Sequence, residues 1–104
     1  MTFALSDETD FLARAGAPKE LKRLARLHER VLTEGLLPRA KAVPMGERRK
    51  ALEPIATRLL ESHEALKALA SKSGREVGVP VETIASSAAS AAKTLHDLMD
   101  EASE

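Results

Sequence analysis

The segment "TIASSAASAAKTL", residues 83–95, decides the fold. Ten consecutive positions from 83 to 92 hold only Ala, Ser, Ile and Thr, with no charge and with Ile84 as the one large side chain. Continued toward the C-terminus, Ile84, Ala88, Ala91, Leu95, Leu98 and Ala102 recur at spacings of four, three, four, three and four. That is the heptad seam of a helix that lies along another helix. Alanine at seam positions lets two helix axes approach the lower end of the usual separation of roughly 8–10 Å, provided the neighbour supplies large side chains to fill the space. We therefore expect a helix over 81–102 packed tightly on a leucine-rich partner. Ile84, Ala88, Ala91, Leu95 and Leu98 are the candidate helix–helix interface. Ordinary packing within the chain accounts for such a seam, and so does docking of a second copy or a foreign helix. Ser86, Ser87, Ser90 and Ala92 are expected to leave the outer face smooth as well.

The rest of the chain agrees with an all-helical reading. Its 104 residues allow one domain with a modest core. Alanine contributes 18 residues and leucine 15, with two Phe and no Tyr or Trp; this is a helix former's composition. Cysteine is absent, so disulfides and thiolate chemistry are excluded, and a reducing, cytoplasmic setting is the simplest fit. The opening "MTFALSDETDF" lacks the basic region and apolar run of a signal peptide. No stretch is long enough to cross a bilayer, so no membrane partner is expected.

Ser6 ahead of Asp7 and Glu8, with Gly16 as a stop, predicts a short capped helix over 7–15. Ala17-Pro18 opens a second over 18–34, with Leu21, Leu24, Leu27, His28, Val31 and Leu32 facing inward and Gly35 as a left-handed cap. The stretch "GLLPRAKAVPMG", residues 35–46, reads as a loop because it holds two prolines and a glycine at each end. A third helix follows over 47–72. One of its seams carries Leu52, Ile55, Leu59, Leu66 and Leu69, and the next carries Ala56, Leu60, His63 and Ala70. Pro54 within it should kink the helix or mark its start. Three long helices and a short N-terminal one predict a small up-and-down bundle.

Charge is segregated although the formal net is zero. Residues 14–50 carry eleven Lys and Arg against four Glu, a net of +7, whereas residues 51–104 carry a net of −4. Lys19, Lys22, Arg23, Arg26 and Arg30 share one face of the second helix, and Arg48, Arg49 and Lys50 extend this ridge if the chain folds back alongside. Such a ridge can hold phosphates without reading bases. Aromatic stacking residues, Asn and Gln are lacking, which argues against specific readout.

His28, His63 and His96 fall once in each long helix, but no pair shares a helix at ligand spacing and no HExxH occurs. No metal or other cofactor is expected. The stretch "ESHEALKALASKSG", residues 61–74, resembles the phospho-accepting helices of histidine kinases and phosphotransfer domains, where an exposed histidine precedes a basic residue on a bundle. Here the basic residue is Lys67, four positions after His63, and the likeness spans about a dozen residues. No orienting partner for a nucleophile or base is legible, so an enzyme is not expected. The expectation is a non-enzymatic interaction or assembly protein that self-associates or binds a partner protein; the alternative is sequence-tolerant binding to a DNA or RNA backbone.

Overall fold

The computed structural model describes residues 5–103 and is all-helical over them. Helix α1 spans Leu5–Arg14 and α2 spans Pro18–Arg30. A wide π turn, Val31–Leu36, joins α2 to α3, Leu37–Ala42. After a short 3-10 turn, Met45–Glu47, come α4, Arg48–Lys72, and α5, Arg75–Ser103. The expected Ser6 cap lies outside the described side chains.

Helix α5 is the axis. Helix α4 packs along it over the most extensive contact in the molecule, and the α2–α3 rod packs on its other flank. Contact between α2 and α4 is marginal at most, and α1 sits against α2, α4 and the edge of α5. The longest dimension, 45 Å, is about the length of α5 itself at 1.5 Å per residue. Two neighbours on one helix need two adjacent seams, and α5 has them. Ile84, Ala88, Ala92 and Leu95 are fully buried, and Ala85, Ala91, Leu98 and Met99 nearly so. Leu52, Leu59 and Leu66 of α4, with Leu21, Leu24 and Leu32 of the α2 rod, supply the large side chains that the alanines require. The alanine seam is therefore internal. Ala92 belongs to the core and not to the outer face, because the second neighbour widens the buried arc of α5.

Two boundaries differ from expectation for local reasons. The loop expected at 35–46 is helical to Ala42, and residues 18–42 form one continuous rod. Gly16 is the one described residue with a positive φ, 63°, so Gly35 caps nothing. Pro38 would deprive the carbonyl of Glu34 of its amide and crowd it. The chain meets this by widening, with the amide of Leu37 closing on the carbonyl of Leu32, five residues back. Helix α5 starts at Arg75 instead of 81: the carbonyl of Gly74 accepts the amides of Val77 and Gly78, at 3.2 and 2.7 Å, and Pro80 falls inside the second turn. Pro54 likewise lies within α4, six residues after its start.

Helices α4 and α5 are joined by Ser73 and Gly74 alone, so their ends lie close together. A Cβ built on Gly78 would stand 3.1 Å from the carbonyl oxygen of Ala70, whereas one on Gly35 would meet nothing within 4 Å. Gly35→Ala should therefore stabilise the protein by about 0.5–1 kcal/mol through helix propensity, while Gly78→Ala should destabilise it despite the same propensity gain. Thermal melts of the pair check this; a destabilising Gly35→Ala would restore the loop. Overfilling the central seam with Ala88→Leu should cost about 1–3 kcal/mol in denaturant unfolding.

Candidate interaction surface

The five cations of the α2 ridge are all exposed. They lie on the side of the helix away from the buried Leu21, Leu24 and Ala25. Arg30 Nε is 3.7 Å from Glu34 Oε2, a solvent-exposed pair of the kind that contributes little to stability. Leu27, expected on the inner face, is instead 55% exposed beside the ridge. Helix α2 packs against α5 and α1 with at most marginal contact to α4, so its buried arc is too narrow to include that position.

Arg48, Arg49 and Lys50 do not extend the ridge. They open α4 beside the end of α3, while Arg30 lies twelve residues back along the rod, about 18 Å at 1.5 Å per residue. Arg48 is not available to an anion at all. It is only 8% exposed, and its guanidinium is used internally. Nε donates to the carbonyl of Val43 at 3.2 Å, Nη2 to that of Lys41 at 3.2 Å, and Nη1 to the carbonyl of Leu98 and to Glu101 Oε2, each at 3.3 Å. One planar fork thus closes the last carbonyls of α3 and ties them to the far end of α5. The signal was present in the sequence: Arg48 stands four and seven residues before Leu52 and Ile55, on the apolar seam of α4.

The histidines do not converge, and among the described residues no group of three metal-capable side chains occurs. His63 is half-buried with Nδ1 2.8 Å from the carbonyl oxygen of Ala85, so its ring is tied to the backbone of α5. The phospho-accepting likeness calls for an exposed histidine, and His63 does not meet it. His28 is half-buried and His96 is exposed.

Two grooves flank α5. Between α4 and α5, a groove of about 390 Å³ is floored by Leu60 and Met99 and edged by Glu53, Glu61 and Glu64, with His96 alongside and Arg49 at one end. Leu60 is 41% exposed there and not in the seam where the periodicity placed it. Between the α2 rod and α5, a groove of about 440 Å³ is lined by Ser86, Ser87 and Ser90 together with Leu32, Leu37 and Ala91, and by Thr33, Thr83 and Thr94, whose hydroxyls donate to the carbonyls of Glu29, Val79 and Ser90. It shares Glu29 and Thr83 with a smaller recess that Lys22 and Arg26 border. Ser86 and Ser90 do form the smooth exposed face read from the sequence. The candidate interface residues Ile84, Ala88, Ala91, Leu95 and Leu98 are consumed within the chain and present nothing to a partner.

No described helix is long and apolar enough to cross a membrane. Comparison with protein families, curated proteins and solved structures gave no significant match.

Arg48→Met removes four hydrogen bonds and leaves carbonyls at the α3 terminus uncompensated, at an expected cost of about 2–3 kcal/mol in denaturant unfolding. Arg48→Lys should recover only part of this, because an ammonium cannot span the same acceptors. Full recovery by lysine would show that charge matters there and the fork does not.

Proposed function

We propose that this protein is a non-enzymatic helical interaction protein, acting in the cytoplasm, whose contact surface is the exposed face of α2 and whose partners are acidic helical surfaces of proteins. The observation that carries this reading is the alignment of Lys19, Lys22, Arg23, Arg26 and Arg30 on one solvent-facing side of α2 with Leu27 exposed beside them. An apolar side chain rimmed by charge is the usual composition of a modest protein–protein contact, in which the charges steer and select while the apolar centre holds. The alanine face of α5 drops out as a docking site because the bundle already covers it. Its role is to hold α2 in place.

A second reading, binding to a nucleic-acid backbone, is favoured by Ser86, Ser87 and Ser90 in the groove beside Lys22 and Arg26, since phosphate oxygens take hydrogen bonds from serine as well as from Lys and Arg. Glu29, which lines both parts of that groove, opposes it.

The test is retention of the intact chain on immobilised polyglutamate and on duplex DNA at low salt, for the wild type and for Arg23→Glu plus Arg26→Glu. The reading predicts wild-type retention on polyglutamate, at least a tenfold loss in the variant and an unchanged melting temperature. DNA retention with a log–log salt slope near −4 would instead favour the phosphate reading, at about 0.9 per cation engaged. Equal retention of wild type and variant would overturn both.

A further inference from the structure

The exposed stripe of α2 has a counterpart on α4. Reading along α2, Glu20, Arg23, Leu27 and Arg30 follow one another at spacings of three, four and three, and all are exposed. Reading α4 in reverse, Lys67, Glu64, Leu60 and Thr57 follow at the same spacings, and all are exposed. With Leu27 of one copy set on Leu60 of another and the two helices antiparallel, Glu20 meets Lys67, Arg23 meets Glu64, and Arg30 meets Thr57. Glu53 lies one turn further, within the reach of an arginine side chain. Each step of three or four residues is about 4.5 or 6 Å of helix, so the rungs stay level along the stripe. The parallel arrangement fails, because it sets Glu20 against Glu53. The stripe ends at Arg30, where the π turn starts and the regular winding stops.

We propose that the acidic partner of the α2 surface is a second copy of this chain, with Leu27 of one copy seated in the α4–α5 groove of the next, over Leu60 and Met99 and between Glu53 and Glu64. This rests on the reading of α2 as a protein-binding face. The two contacting surfaces are different, so the contact is heterologous. Each copy retains a free ridge at one side and a free groove at the other, and copies add head to tail. Leu27 and Leu60 are 55% and 41% exposed, and both sit outside the core. Within one chain the two surfaces do not meet, because α2 and α4 each pack on α5 and make at most marginal contact with each other. A contact between single helix faces falls at the small end of interface sizes, below about 1,200 Å², so the association is weak, salt-sensitive and visible only at high concentration.

The experiment is sedimentation equilibrium of the full chain at about 0.5 mM, in low and in high salt. The expected result at low salt is a weight-average mass above the 11.2 kDa monomer that rises with concentration, with return to monomer at high salt. Arg23→Glu alone and Glu64→Arg alone should each be monomeric at low salt, and the chain carrying both reversals should regain the association. Arg23 and Glu64 are both exposed, so circular dichroism should show every variant folded. A wild type that stays monomeric at low salt overturns the proposal, as does self-association that survives Arg23→Glu. Retention on polyglutamate together with a monomeric wild type would remove the second copy as partner while leaving the α2 reading intact; loss of both would remove the two together.

Discussion

Ala85, Ala88, Ala91 and Ala92 present little more than a methyl group to the rods on either side of α5, and the rest of the molecule depends on that economy of size. A helix with large side chains on two adjacent seams would hold its neighbours apart. With alanines, the leucines of α4 and of the α2 rod reach across and fill the space, so one helix serves two partners that do not need each other. The same geometry explains why the protein is only as wide as two or three helices and as long as one. It also explains why α2 keeps so much of its circumference in water: among the described residues it packs mainly against α5 and the short α1.

Arg48 is the polar counterpart of that apolar seam. The α2–α3 rod ends in a run of carbonyls close to the start of α4, and a helix end left without donors inside a protein is costly. A guanidinium on the first turn of α4 reaches those carbonyls and the backbone of α5 at once, which fixes three elements by one side chain. At the opposite end the constraint is steric. Gly78 lets the start of α5 lie against the last turn of α4, where any side chain would press on the carbonyl of Ala70.

The all-helical class, the bundle and the inward alanine seam were legible because the heptad spacing of Ile84, Ala88, Ala91, Leu95 and Leu98 depends only on how a helix winds. Helix ends were less so. Gly35 and Pro38 look like a stop, yet the π turn absorbs the proline while Gly35 stays in a helical conformation, and no residue pattern announces such a turn. Pro80 misled in the same way, since it is tolerated just inside a helix that Gly74 has already started. Periodicity places Leu27 and Leu60 in the core, and the structure exposes them, because periodicity gives the direction of a side chain but not the number of neighbours around its helix. Arg48 looks like surface charge in the sequence for the converse reason: it stands on the α4 seam, but the carbonyls it serves are brought to it only by the fold.

The middle of α5 should be the most protected part of the molecule, because helices cover it along two adjacent seams. Native-state hydrogen exchange of the amides of residues 84–95 tests it most directly. These amides should exchange only through global unfolding, with an opening free energy equal to that from denaturant titration, while the amides of α1 should exchange through smaller openings. Exchange across residues 84–95 at the rate of a helix open to solvent would contradict it.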